Sequence, residues 1–385
     1  MTARGAPSGA LPRSFTGLEQ RLLGRFRALA VPPGSKVVVG FSGGPDSLAL
    51  LAVLRRVAPL GRFEPVAVHV DHRLRHGAAA EQRRAGDLAC ALGVRFLGVR
   101  PDSDPRETYP GVGMEEAARR ARYLALAAAA GEEGAAMVAL AHHAQDQAET
   151  VLLHLLRGSG LAGAAAMAER TAVAVPWWTR SGGPTMILWR PFLGEPRPVV
   201  RAYAATTGLA AIEDPSNDDL TLRRNQLRRT VMPALDAVTG GANGVLARFA
   251  RLAADDDAAL DAFAEDAEDR VLVPNGGLAA DRLGREPVAI QRRIVRRWVQ
   301  RRAGIVPTAD RVEAVLALVR SRAGGRTLEI GDGFKVVATA GQLRLTTEGS
   351  MLGAESGGAP PAKDSLSPTA WSGVDVRMIA DEGVA

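Results

Sequence analysis

Val37-Val38-Val39-Gly40-Phe41-Ser42-Gly43-Gly44-Pro45-Asp46-Ser47-Leu48-Ala49-Leu50-Leu51 decides the reading of this chain. A β-branched apolar run breaks at Gly40, passes through small and acidic residues, and resumes as a Leu/Ala-rich helical pattern. That order predicts a buried strand, a tight glycine loop and a helix N-terminus. Backbone N–H groups and the positive end of the helix dipole then converge on one spot, which suits phosphate or pyrophosphate. Gly43 and Gly44 leave no side chain between backbone and anion, and Ser42 and Ser47 add hydroxyls. Asp46 repels phosphates unless a cation lies between, and a magnesium ion is the simplest reconciliation. The loop is not a Walker P-loop, because no Gly-Lys-Ser/Thr closes it. A plain strand–helix turn would account for one glycine but not for six consecutive small or acidic residues. Ser42, Gly43, Gly44, Pro45, Asp46 and Ser47 are therefore the nucleotide-binding candidates.

Outward from this loop, strand-like and helix-like segments alternate as far as about Ile212. Pro65–Val70, Arg95–Val99, Ala136–Ala141 and Met186–Trp189 read as further strands, with helices over Ser47–Ala58, Ala80–Leu92, Met114–Ala130 and Gln145–Leu156. Such alternation predicts an α/β fold with a parallel sheet covered on both faces. Ligands bind at the carboxyl ends of such strands, where the segments after Val39, Val70 and Ala141 all fall. Past Asp214-Pro215-Ser216-Asn217 the pattern changes to long helices, acidic over 245–270 and basic over 288–302, followed by β segments at Thr327–Ile330, Phe334–Ala338 and Gln342–Thr346. Expected divisions are a flexible terminus at 1–20, an α/β domain at 21–215, a smaller mainly helical domain with a terminal hairpin at 216–348, and a mobile tail at 349–385.

Composition sets bounds. With 385 residues, 46% hydrophobic and 23% charged, the chain can bury two cores. No apolar run approaches the roughly 20 residues of a membrane span, so no membrane partner and a cytoplasmic location are expected. The single cysteine, Cys90, excludes an internal disulfide and paired-cysteine chemistry. A formal net charge of +6 is compatible with a nucleic-acid partner and is weak evidence for one. Only three of the 48 basic residues are lysine, so arginine placement says more than arginine number.

Four further segments carry chemistry. Val68-His69-Val70-Asp71-His72-Arg73-Leu74-Arg75 ends the second strand in polar groups. Glu115, Arg119 and Arg122 share one helical face. His142, Asp146 and Glu149 do the same in Ala141-His142-His143-Ala144-Gln145-Asp146-Gln147-Ala148-Glu149-Thr150. Glu213-Asp214-Pro215-Ser216-Asn217 precedes Arg223-Arg224-Asn225-Gln226-Leu227-Arg228-Arg229.

The loop resembles the PP-loop of the N-type ATP pyrophosphatases, which cleave ATP between the α- and β-phosphates and leave AMP on a substrate oxygen. All five segments in order, with Arg157-Gly158-Ser159-Gly160-Leu161, resemble the tRNA(Ile)-lysidine synthetase family, from about residue 35 to 235 and more loosely to 346. One departure is Gln145, where many members carry an Asp; it leaves Asp146 and Glu149 as the carboxylates. The resemblance implies a PP-loop domain that adenylates the C2 carbonyl oxygen of the wobble cytidine in CAU-anticodon tRNA(Ile). The ε-amine of free L-lysine then displaces AMP. It implies ATP and Mg²⁺, with Asp46 and Asp146 as metal ligands, Asp46, Asp146 and Arg122 as catalytic residues, and His72 and His142 beside the nucleotide. Asp146, Glu149, Arg119, Arg122, Arg224, Asn225 and Arg228 are the substrate-binding expectations. In one arrangement Asp146 and Glu149 take the lysine amines and Arg122 its carboxylate. A homodimer is admitted, and the general base is not identified.

Plainer readings stand beside these. His69, alternating with valines, reads as a satisfied core histidine, and Arg119 and Arg122 could simply pair with Glu115. On the basic helix, Ile290, Ile294, Val295 and Trp298 fall opposite Arg292, Arg293, Arg296 and Arg297, which suits either RNA phosphates or the acidic helix. Related thiolases need cysteines, and amidotransferase relatives need a glutaminase motif; neither is present. Another PP-loop pyrophosphatase and a non-enzymatic tRNA-binding module remain as alternatives, although the module would not require Asp46, Asp146 or Glu149.

Overall fold

The computed structural model describes residues 15–71, 77–101, 104–176, 183–213, 220–321, 325–339 and 341–347, and the backbone of 350–351 and 376–379. His72 and the 214–217 segment lie outside the described residues.

In the first unit, α1 (Gly17–Ala28) leads to β1 (Lys36–Gly40), α2 (Pro45–Gly61), β2 (Glu64–Val70), α3 (Ala78–Ala91) and β3 (Arg95–Pro101). Then come α4 (Pro105–Thr108), α5 (Met114–Glu132), β4 (Met137–Ala139), α6 (Ala144–Leu156), α7 (Leu161–Ala164), β5 (Arg170–Ala174), β6 (Thr185–Trp189) and α8 (Arg197–Ala205). α1 opens inside the stretch expected to be flexible. A reciprocal cap between Thr16 and Glu19 starts it, and Leu18, Leu22, Leu23 and Phe26 bury one face.

After α9 (Arg223–Gln226) and one π-helical turn (Leu227–Val231), α10 (Met232–Thr239) and α11 (Ala242–Val271) begin the second unit. It continues with β7 (Leu278–Ala279), α12 (Ala280–Arg285), α13 (Val288–Ala303), α14 (Ala309–Ser321), β8 (Arg326–Gly331), β9 (Phe334–Thr339), β10 (Gln342–Thr347) and β11 (Ser350–Met351). β12 (Val376–Ile379) closes the chain's described part.

The main sheet runs β12-β3-β2-β1-β4-β6-β5. Its five central strands are parallel, as the alternation predicts, while β5 and β12 are antiparallel edges. Neither edge strand was legible in the sequence, and β12 lies within the stretch expected to be a mobile tail. Backbone pairing of Val376–Ile379 with Gly98–Pro101 covers the otherwise open edge of β3.

Both faces of β1 are buried, by alternate residues. Val37 and Val39 join the core made by α1, α2, α3 and α8, whereas Val38 joins the core under α5. β1 pairs with β2 on one side and β4 on the other, so the strand order reverses at the PP-loop strand. That is the switch point at which an open α/β sheet leaves a crevice.

The second unit forms its own core around Trp298, whose indole N–H donates to the Gly276 carbonyl at 3.0 Å. The acidic and basic helices pack together, and charge pairing follows. Arg293 reaches Asp257 and Asp261, each at 2.5 Å, and Arg297 reaches Glu265 and Glu268 at 3.3 and 3.2 Å. Arg292 is taken by Glu313. Of the two readings of this stripe, the pairing with the acidic helix holds for Arg293 and Arg297. The first and second units also share α11, whose Ala242 and Leu246 pack with Ala148 and Leu152 of α6.

Candidate active site

Local conformation makes the loop. Gly44 caps α2, Pro45 occupies its first turn where no N–H is needed, and Asp46 lies beside the positive helix end. Gly43 has φ +77, and a Cβ there would sit 2.5 Å from Ile212 Cδ1. Its carbonyl accepts from the Ile212 N–H at 2.9 Å. Any side chain at 43 would strain the backbone and push off the segment that closes the loop. Ser47 Oγ donates to the Gly44 carbonyl at 3.0 Å and lies 3.1 Å from Ser42 Oγ.

A cavity of about 470 Å³ opens at this loop, between the carboxyl ends of β1, β2 and β4. Ser42, Gly44, Pro45, Asp46 and Ser47 form one wall. Arg122, His142, Asp146 and Arg228, all expected site residues, line it as well.

α6 opens at the strand adjacent to β1. Its first turn is held by a reciprocal cap: Asp146 Oδ2 accepts from the His143 N–H at 3.0 Å, while His143 Nδ1 accepts from the Asp146 N–H at 3.4 Å. The same buried imidazole joins both expected metal-binding carboxylates. Its Nε2 is 3.6 Å from Asp46 Oδ2 and its Nδ1 is 3.2 Å from Asp146 Oδ2. Sequence reasoning saw a His-His pair but not this bridge, which depends on β1 and β4 being neighbours.

Charges explain the protonation states. Burial pushes the Asp146 carboxyl up, but His143, His142, Arg224 and the His143 N–H outweigh it and hold it below its usual value. Burial drives the His142 imidazole well below its usual value, and Arg190, Arg122 and Arg224 push the same way against Asp146. His142 is therefore neutral at physiological pH, and its Nδ1 is buried without a hydrogen-bond partner.

Glu149 is placed differently from the expectation. It is fully buried and does not line the cavity. Arg228 holds it through Nε at 2.7 Å and Nη2 at 3.0 Å, Arg224 Nε lies at 3.2 Å, and the Gln145 amide donates at 3.1 Å. These arginines come from α9 and the π-helical turn, so the carboxylate fastens that segment onto α6. The fork of Arg228 also reaches Asp146 Oδ1 at 3.4 Å. Burial works against the Arg228 charge, yet Glu149, Asp146 and Asp46 together raise its pKa. Asn225 is buried in the same turn. Arg119 stays outside the cavity wall, paired with Glu116 at 3.7 Å and lying over the Tyr123 ring.

Two arginines at the site were not singled out in the sequence. Arg197 and Arg201, one turn apart on α8, both line the cavity. Arg201 Nε is 3.8 Å from Asp46 Oδ1, and Arg197 Nε is buried without a hydrogen-bond partner. Burial and the neighbouring Arg201 lower the Arg197 pKa from its usual value. Their i, i+4 spacing after Pro196 is the only sequence signal, and an ordinary surface helix gives the same one.

Among the described residues no group of three or more metal-ligating side chains converges. Two carboxylates, with Asp46 Oδ1 buried and lacking a hydrogen-bond partner, instead suit a magnesium ion whose shell is completed by phosphate oxygens and water.

Residues 18–235 match the family model of the PP-loop domain, and residues 278–343 match that of the TilS substrate binding domain. The tRNA(Ile)-lysidine synthase of Salinispora tropica is 38% identical over 358 residues, covering 91% of this chain and all of that protein. The chain belongs to the tRNA(Ile)-lysidine synthase family. The Salinispora arenicola member is 41% identical over 83% of this chain and 93% of its own length. The Thermobifida fusca member is 40% identical over 75% and 84%. Within this family, the chain thus matches both the PP-loop and the substrate binding domain models. No helix among its described residues is long and apolar enough to cross a membrane.

Proposed function

We infer that this chain is an ATP-dependent ligase forming lysidine on tRNA(Ile), with the residues of the α2–α6–α8 cavity performing the reaction. The observation that carries the reading is the PP-loop carboxylate Asp46 joined through His143 to Asp146 at the switch point of a parallel sheet.

The chemistry follows in two displacements. The C2 carbonyl oxygen of the wobble cytidine attacks the α-phosphorus of ATP, and pyrophosphate leaves. The lysine ε-amine then adds at C2, AMP departs with the oxygen, and the amine gives up its protons. The first step turns a poor leaving group into a phosphate ester. The PP-loop N–H groups, Arg197 and Arg201 are placed to hold the departing pyrophosphate, an electrostatic role. Asp46 and Asp146 would hold magnesium, which supplies charge neutralisation between the phosphates and these carboxylates.

Free lysine enters as an ammonium with a reference pKa of about 10.4. Asp146, kept ionised, suits an amine of lysine, and Arg122 suits its carboxylate. His142 contributes a neutral ring whose buried Nδ1 has no hydrogen-bond partner among the described residues and, according to tautomer, accepts from the incoming amine or donates to the base. Glu149 acts behind the wall, keeping Arg228 aimed at Asp146. A cytoplasmic location accords with a tRNA substrate.

Mass analysis of a CAU-anticodon tRNA transcript after incubation with ATP, Mg²⁺ and lysine tests the reading. The expected gain is lysine minus water, with pyrophosphate released only when tRNA is present and AMP only when tRNA and lysine both are. Pyrophosphate release independent of tRNA would overturn it.

A further inference from the structure

The far end of α6 carries a surface that the reaction does not use. Leu155 and Leu156 are 43% and 74% exposed there, and the helix ends at Arg157 in the Arg157-Gly158-Ser159-Gly160-Leu161 segment. Gly158, at φ +74, turns the chain into α7. α11 packs along α6, where Ala242 and Leu246 join Ala148 and Leu152 in one apolar cluster, and along α7, which follows the end of α6. On α11, Val245, Phe249 and Leu252, at i, i+4 and i+7, are 44%, 41% and 51% exposed on one face. Arg248 and Arg251 lie within the same two turns, exposed. Among the described residues no carboxylate forms an ion pair with Arg157, Arg248 or Arg251, unlike Arg293 and Arg297 of α13.

We propose that this α6–α11 face is a docking surface for the tRNA substrate, with Phe249 stacking on an unpaired base or ribose and Arg157, Arg248 and Arg251 meeting phosphates. Charge complementarity selects the partner: Arg248 and Arg251 flank an aromatic and aliphatic stripe and, with Arg157, lack a carboxylate partner among the described residues, the combination that single-stranded RNA segments use. Position supports it. Ten residues separate Asp146 from Leu156, about 15 Å along the helix axis. An RNA loop with a base in the cavity thus reaches that end of α6 within a few nucleotides. The proposal rests on the tRNA reading of the active site.

The test measures binding of a CAU-anticodon tRNA transcript to the full chain, wild type against Phe249→Ala and against Arg248→Ala/Arg251→Ala. Phe249→Ala should weaken binding by about 5- to 150-fold, the range for one lost stacking contact. The double arginine variant should flatten the salt dependence, lowering the slope of log K against log salt by about 1.5. ATP half-saturation and melting temperature should stay at wild-type values in both, which separates a docking role from misfolding. An unchanged tRNA affinity and salt slope in well-folded variants would overturn the proposal. So would a concentration-dependent dimer, seen by light scattering, that Phe249→Ala abolishes, because the stripe would then bind a second copy of the chain. If wild type adds no lysine to the transcript, the reading of the active site fails instead.

Discussion

Replacing Glu149 by glutamine tests whether this carboxylate is a lysine ligand or a fastening for the arginines behind the cavity. The substitution keeps shape but removes a fully buried negative charge facing Arg224 and Arg228, whose side chains are 32% and 19% exposed. Removing one partner of a buried ion pair costs about 3–5 kcal/mol, and the partial hydration of both arginines places this case near the lower end, about 3 kcal/mol. For a unit of the size of residues 18–235, each kcal/mol lowers the melting temperature by roughly 2–4 °C, so a fall of roughly 6–12 °C is expected. Calorimetry reads the stability, and steady-state pyrophosphate release reads the site. Because Arg228 loses its anchor and Asp146 its aligned partner, kcat should drop about tenfold or more while half-saturating lysine moves less than about twofold. The reasoning is refuted if Glu149→Gln melts like wild type and raises only the lysine requirement, since Glu149 would then contact the amino acid directly.

Three further outcomes follow from the same geometry. Asp46→Asn should preserve the melting curve within a few degrees yet cut pyrophosphate release by at least about a hundredfold, because the loop carboxylate belongs to no hydrophobic core but lines the cavity where the phosphates would bind; wild-type turnover would remove Asp46 from the mechanism. His69 is buried with its Nδ1–H donating to the Phe41 carbonyl at 3.0 Å, and burial lowers its pKa despite that bond and nearby Asp71 and Glu81. The unfolded chain then binds a proton below about pH 6.5 that the folded chain refuses, so stability falls as pH drops from there toward the lowered native value. His69→Phe should reduce the slope of melting temperature across that window, the remainder coming from His142, whose pKa burial lowers in the same sense, and an unaltered slope would remove His69 from the titration. Arg293→Ala/Arg297→Ala should lower stability by about 2 kcal/mol, as broken partly buried pairs do, and leave the salt slope of tRNA binding unchanged; a reduced slope would return this helix to RNA contact.

Sequence alone determined the loop, the parallel sheet and the family, because each is written in consecutive residues. A valine run ending in Ser42-Gly43-Gly44-Pro45-Asp46-Ser47 has few conformations open to it, and glycine at 43 is demanded by the backbone itself. The periodicity around Asp146 likewise put His142, Asp146 and Glu149 on one helix. What periodicity cannot say is which way a helix face looks once neighbours arrive. Tertiary structure turned Glu149 inward onto Arg224 and Arg228, some 75 to 79 residues away in the chain, and left Asp146 at the cavity. It also brought Arg197 and Arg201 to Asp46, across more than 150 residues, and matched the basic helix to the acidic one. Charged groups have long reach and flexible stems, so their partners are chosen by strand order and helix packing, which no local pattern encodes. The edge strands β5 and β12 belong to the same class: short segments become strands only because a neighbouring strand offers its unpaired backbone groups.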